Sequence, residues 1–421
     1  MNAYKNGVVA AAVLMLIASL PASAQDSSIN VQCPTGPDHP NAKCIHLVAG
    51  DGMATMADDM IDPDFGGAGK KQYIFSFAEV PLPGVDGAPT EASGNYPAWV
   101  MQTGMLAANA PAPTISVDED DELFLSLTNV GMTMRPDLFD PHTVHWHGFP
   151  EAASVFDGVP DSSISVNMGA TLTYYYNVKD AGTYMYHCHV EATEHMQMGM
   201  LGNLFVRPRQ NKLPAQLLKG FAHTPWDEAT KTGNRYAYND GDGTTSYDVE
   251  VPIQMGSFDP DFHDASLNVQ PLPFAGMRDR YFLLNGRGYP DTANATVLST
   301  TDPLGASHES QPVDSLVVAD AGDRILLRIS NLNITEFYTL GSNLPMQVVA
   351  LDARLLRDGA GNNMYYTTNS LTLGGGQSAD VIIDTTGLAP GSTYFLYTTN
   401  LDRLANDAEN FGGMMTEVRI N

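Results

Sequence analysis

Positive charge is the first thing this chain has little of. Its 21 Lys and Arg face 48 Asp and Glu, for a formal net charge of −27. That balance argues against nucleic acid or an anionic membrane as a partner. The acidic residues form no long block, so they read as a solvated surface that favours solubility and attracts cations. Long apolar runs are also missing beyond the extreme N-terminus, so no later stretch reaches membrane length. No phosphate-binding loop is present: Gly69-Lys70-Lys71 lacks the upstream Gly and the following Ser or Thr. No long amphipathic helix competes with the strand-like texture. Cysteine is reduced to three residues.

Residues 1–24 read as a secretory signal peptide. Lys5 supplies a charge, Val8 to Leu20 is apolar, and Ala22-Ser-Ala24 is a small-residue cleavage site; the alternative is a retained N-terminal anchor. A periplasmic or secreted protein follows, with no membrane attachment after processing. In such an oxidising compartment Cys33 and Cys44 are expected to close a small loop as a disulfide. The other reading is a metal site shared with His39 or His46. Residues 25–69 are expected to be an N-terminal extension. Met53, Met56 and Met60 within it are either soft ligands suited to Cu(I) or fillers of irregular gaps.

From residue 70 onward the pattern is all-β. Short alternating or β-branched runs separated by Gly, Pro and Asp recur, as in a sandwich or barrel. They include Gln72 to Phe77, Ala98 to Gln102, Thr114 to Asp118, Glu122 to Leu127, Ala170 to Tyr176 and Met200 to Val206. Two domains are expected, 70–208 and 215–421, joined by a linker beginning at Arg207-Pro-Arg209. The second repeats the texture, from Tyr247 to Ile253 through Tyr394 to Tyr397. It shows no metal constellation: His223, His263 and His308 stand alone and read as ordinary loop histidines. Asn294-Ala-Thr296 and Asn333-Ile-Thr335 match the weak glycosylation triplet.

The chemistry is concentrated in two stretches. His142-Thr-Val-His-Trp-His147 holds three histidines. His187-Cys-His189, with His195 and Met200 downstream, holds three more and the remaining cysteine. Six of the eleven histidines lie there. A lone His-x-His pair is usually decoration; two such pairs, one split by Cys and followed by His and Met, are hard to obtain by composition. Two imidazoles, a thiolate and a weak thioether are the donor set of a blue-copper electron-transfer site. Side chains on a strand alternate faces, so His187 and His189 point one way and Cys188 the other. His145 and His147 share a face and His142 takes the opposite one. Two sites result, one with His142, Cys188, His195 and Met200, the other with His145, His147, His187 and His189.

Both stretches resemble the copper motifs of multicopper oxidases, secreted proteins built of cupredoxin β-barrels. The resemblance implies two cupredoxin-like Greek-key β-barrel or sandwich domains. It implies that His142, Cys188, His195 and Met200 are type 1 copper ligands. His145, His147, His187 and His189 would then be half of a trinuclear cluster, the catalytic half-site. Asp157-Gly-Val-Pro160 and Gly182-Thr-Tyr184 also match the way the family leads into this strand, and Asn285-Gly-Arg287 and Ala321-Gly-Asp-Arg324 resemble turns of its metal-free domain. Two departures stand out. Five residues separate His189 from His195 where the family pattern has three. A full trinuclear cluster also draws four histidines from another domain, and no second His-x-His set occurs outside 142–189.

The expected function is an exported copper-dependent oxidoreductase with a type 1 copper and a type 2 or type 3-like centre. Its electron donor would be a phenol, a metal ion or a redox protein, and O2 the family's acceptor. A homotrimer is the family's way of joining two-domain chains. The other readings are an electron-carrying or copper-binding cupredoxin without turnover, and a nitrite-reductase-like copper enzyme, ranked lower because His145 and His189 are not what that family has there.

Overall fold

A computed structural model of the chain describes residues 29–57, 69–302, 305–407 and 409–421. The expected signal peptide and Met60 lie outside the described residues. No helix among the described residues is long and apolar enough to cross a membrane.

The first half carries strands β1 (Ala42–Thr55), β2 (Lys71–Glu79), β3 (Ile115–Asp118), β4 (Glu122–Gly131), β5 (His145–His147), β6 (Thr171–Asn177), β7 (Gly182–His187) and β8 (Leu201–Arg207). One sheet runs β2-β1-β4-β6 and the other β3-β8-β7-β5. Their inner faces meet in one core that includes Leu47, Phe75, Leu125, Tyr174, Trp146 and Tyr186. Burying each such side chain contributes on the order of 2 kcal/mol. The apolar core therefore fixes where the histidine-bearing strands sit.

Two expectations change here. Residues 42–55 are not an extension outside the sheet. β1 is an interior strand, antiparallel to β2 and parallel to β4. Leu47, Ala49 and Met53 point into the core between the sheets. Val48 points the other way, into a cluster with Tyr96 and Val100. With both faces covered, the strand has no polar alternation to betray it. Met53 and Met56 are buried and pack as core, Met53 between the sheets and Met56 against Phe258 and Tyr281. The second change is at Ala98 to Gln102, which lies in helix α1 (Tyr96–Thr103). Pro97 suits a first helical turn. Tyr96 and Val100, four apart, bury one face. The Cys33–Cys44 disulfide is formed, and Cys188 is free and buried.

The second half is also strands. Val249–Phe258 pairs in parallel with Arg324–Asn331, which pairs with Gln377–Asp384, which pairs with Tyr338–Leu351. Register shifts in Tyr338–Leu351 bend that strand, so that it also pairs with Tyr366–Leu373 and Thr393–Thr398. These strands surround a separate apolar cluster that includes Ile253, Leu327, Val348 and Val381.

The halves meet through a buried ionic knot. Arg328 is fully buried; its Nε donates to Glu250 at 2.7 Å, and Nη1 lies 3.0 Å from Thr183 and 3.5 Å from Asp380. Thr183 on β7 donates to Asp380 at 2.5 Å, and Arg207 on β8 donates to Glu250 at 2.8 Å. Tyr238 donates to the other Asp380 oxygen. Burial works against the Glu250 charge, yet Arg328 and Arg207 hold its carboxyl down at about 2. Removing one member of such a knot strands the others without water. Arg328→Ala should lower stability by about 3–5 kcal/mol in urea unfolding; a loss under about 1 kcal/mol would show that the knot does not join the halves.

Candidate metal centre

β5 and β7 run antiparallel, with His145 opposite His187 and Trp146 opposite Tyr186. Trp146, Tyr186 and Cys188 enter the core, as does Val144. The histidines between them face out of it. Cys188 follows the last residue of β7 and keeps the alternation.

The inward group is sealed. Cys188 Sγ lies 3.2 Å from His195 Nδ1 and 3.7 Å from His142 Nδ1. All three side chains are fully buried. The five-residue spacing before His195 is taken up by the start of the short helix α2 (Ala192–Gln197), which carries His195 back to Cys188. The chain then turns at Gly199, whose φ of +113° disfavours any side chain. This brings Met200 alongside Cys188: the Cys188 amide donates to the Met200 carbonyl at 3.2 Å, and the Met200 amide to the His195 carbonyl at 2.9 Å. Burial pushes the Cys188 thiol up to about 12 and lowers His195 to about 4. His142 is driven well below its usual range by burial and then by His195.

The outward group is a nest of four rings. Ligand-capable atoms of His145, His147 and His187 all lie within 4.8 Å of one another. His147 Nε2 is 2.9 Å from His187 Nε2. The His189 ring is 4.8 Å from that of His145 and 5.7 Å from that of His187. A carbonyl oxygen only accepts, which fixes two tautomers. His145 Nδ1–H donates to the Asp157 carbonyl at 2.6 Å, and His187 Nδ1–H to the Cys188 carbonyl at 2.7 Å. Both rings therefore keep an Nε2 lone pair for the cluster. Burial lowers His187 to about 3.

The remaining histidines do not join either group. His39 pairs with Glu122, His46 with Tyr96 and Thr128, and His223 with Tyr236 and the Leu213 carbonyl. His263 bonds the Tyr73 and Gln197 carbonyls, and His308 pairs with Asp302. His223 ends the strand Phe221–His223, His263 sits in helix α3 (Pro260–Leu267) and His308 in the strand Ser307–Gln311, so none of the three is a loop histidine. Sequence reasoning missed Asp140 and Glu191. Together with His195 they form a third close group, Asp140 Oδ2 lying 4.0 Å from His195 Nε2. Nothing in their local sequence marks them, although Asp140 stands two residues before His142.

The multicopper oxidase profile matches residues 94–211. That segment holds all eight motif residues. Multicopper oxidase MCE of Talaromyces pinophilus is 33% identical over 103 residues, 24% of this chain and 16% of the relative. L-ascorbate oxidase of Cucurbita maxima is 24% identical over 294 residues, 68% of this chain and 43% of the relative. Residues 94–211 are thus similar to multicopper oxidases. The chain spans only 16% of the length of the first curated relatives it matches. Among solved structures, the blue copper oxidase from Nitrosomonas europaea covers 90% of this chain and 86% of its own, with a TM-score of 0.58 and 19% identity. A second multicopper oxidase structure, mgLAC, gives 0.57 at 18% identity with the same coverage. The fold is thus the cupredoxin type of these oxidases.

Copper is the cofactor of that family, and the two groups fit it unequally. A buried thiol with two imidazole Nδ1 atoms and an adjoining Met fits a type 1 ion. A three-copper cluster does not fit: among the described residues, only His145, His147, His187 and His189 face its place.

The buried imidazoles make the metal-free protein sensitive to acid. His187 and His195 are neutral in the folded state down to about 3 and 4, whereas unfolded they protonate near 6.5, so their contribution is full above that value and is lost as pH falls below it. Glu194, raised to about 7 by burial and then by Glu191 and Asp140, works in the other direction. Urea unfolding at pH 7 and pH 5 should show His187 and His195 each removing about 2 kcal/mol, with His142 acting in the same direction, against a smaller gain from the part-exposed Glu194. Equal stability at the two pH values would contradict the neutral, sealed imidazoles.

Proposed function

We propose that the protein is an exported copper-dependent oxidoreductase of multicopper-oxidase type. It draws electrons singly through a type 1 site and delivers them at the outward histidine face. The observation that carries this reading is the placement of Cys188 and His187. They are neighbours in sequence, yet one lies in the inward group and the other in the outward group.

His142, Cys188, His195 and Met200 would hold the type 1 copper, which supplies reversible one-electron chemistry at a potential tuned by the weak Met. The sealed pocket excludes water and keeps the ligands in place between oxidation states. Two short routes lead from Cys188 to the outward face. One is the peptide bond to His187; the other is the hydrogen bond from His187 Nδ1–H to the Cys188 carbonyl. On the donor side, His195 presents Nε2 toward Asp140. With Nδ1 committed to metal, Nε2 would carry the proton and face that carboxylate across 4.0 Å. Asp140 and Glu191 give the entry side negative charge, which favours a cationic or hydrogen-bonding donor such as a metal ion or a phenol. Export is supported by the disulfide, which persists in oxidising compartments.

The carrier without turnover is kept as a second reading, because the outward face has only half of the family's histidines. Copper-loaded protein should be blue, and Cys188→Ser should abolish the thiolate charge-transfer band. Oxygen uptake or another acceptor's reduction with a phenolic dye or Cu(I) should accompany the colour. A colourless wild type would sink the oxidoreductase reading; a blue protein that turns over no donor would make it a carrier.

A further inference from the structure

His147, His187 and His189 of the outward group line a cleft of about 510 Å3 whose far wall is made by the second half of the same chain. That wall is the segment Asn333 to Phe337 and the turn at Gly375-Gly376. Its polar side chains are engaged by other partners. The Asn333 amide donates to Ser257 and Asp279, Thr335 bonds Asp279 and the Asn333 carbonyl oxygen of the side chain, and Glu336 is paired with Arg403. The turn also presses close: a Cβ at Gly376 would stand 2.8 Å from His147 Nδ1. Four imidazoles shared among three coppers would leave each ion with one or two protein ligands. The chain's own wall stands across the cleft from His147, His187 and His189.

In the metal-free state the His147–His187 contact of 2.9 Å joins two Nε2 atoms. His187 has its proton on Nδ1, so its Nε2 accepts and His147 Nε2–H donates. A shared proton thus sits between two nitrogens that a cation would bridge, with the His145 lone pair beside them. Three neutral imidazoles neutralise none of a cupric ion's charge and leave coordination positions open toward the cleft.

We propose that the second centre of this chain is a single copper ion held by His145, His147 and His187, and that a small inorganic anion entering the cleft completes its shell. The proposal rests on the type 1 assignment above. It departs from the three-copper cluster that the family motif implies.

Full-length protein, matured and copper-loaded, tests it by metal analysis with integrated electron paramagnetic resonance. The expected result is two coppers per chain, both visible, one with the signature of a thiolate-bound ion and one without. Azide should perturb the second signal and leave the blue band in place. His147→Ala should lower the count to one while the protein stays blue. The wild-type count stands even where that variant fails to fold. Three or four coppers per chain, or a spectroscopically silent coupled pair, would overturn the single-ion assignment, as would a blue protein holding one copper. A second signal indifferent to azide would overturn the open anion position. A colourless protein would instead strike the type 1 reading itself.

Discussion

An extended backbone sends adjacent side chains to opposite sides, and everything distinctive about this protein depends on that fact at Tyr186, His187 and Cys188. Tyr186 and Cys188 enter the core between the two sheets. His187 leaves it, opposite His145 on the neighbouring strand. The thiol reaches a sealed pocket and the imidazole reaches a cleft, although one peptide bond separates them. Shifting β7 by a single residue would place a thiol in the cleft and imidazoles in the apolar core. The register is held by apolar burial along the strand and by Thr183, which anchors the start of β7 to Asp380 and Arg328.

The ionic knot therefore has a consequence beyond stability. Its partners include residues on β7, on β8, on Val249–Phe258, on Arg324–Asn331 and on Gln377–Asp384; Gln377–Asp384 is the strand of Asp380. The last of these strands follows directly on the Gly375-Gly376 turn that faces His147. One buried guanidinium thus fixes both the strand that carries His187 and the wall opposite. The cleft keeps its shape because the two sides share an anchor fully removed from water.

Much of the centre was legible in the sequence because its ligands are local. His142, His145 and His147 span six residues and His187 to Met200 fourteen, so strand alternation separated His142 and Cys188 from His145, His147 and His187, which lie in different close groups, while His195 and Met200 came from the family motif. The all-β class was legible for the same reason, since alternation is a short-range signal. What was not legible came from burial on both faces or from distant contacts. β1 reads as a Gly- and Asp-rich loop because neither face meets water. α1 reads as a strand because Trp99 and Val100 are strand-favouring residues, while the signal for a helix is Pro97 and the Tyr96–Val100 spacing. Asp140 and Glu191 become neighbours of His195 only when α2 folds back over the pocket. Arg328 is one basic residue in an alternating run until Glu250 and Asp380 close around it.

The half-site also limits the chemistry in a way that electron counting makes plain. Reducing dioxygen to water takes four electrons. A chain with one type 1 ion and one further copper stores two at once, so a four-electron acceptor would have to wait, partly reduced, for the donor to deliver again. An open cleft with exchangeable positions is poorly suited to hold such a species. It is better suited to an acceptor that needs one or two electrons and leaves as a small anion or neutral molecule. The donor face would carry no matching restriction, because a type 1 site at Cys188 and His195 would take electrons one at a time whatever their source. The wall of residues 333–337 and 375–376 lines the cleft opposite His147, His187 and His189, so under the single-ion proposal it would be what limits how many electrons the protein can commit to a single turnover.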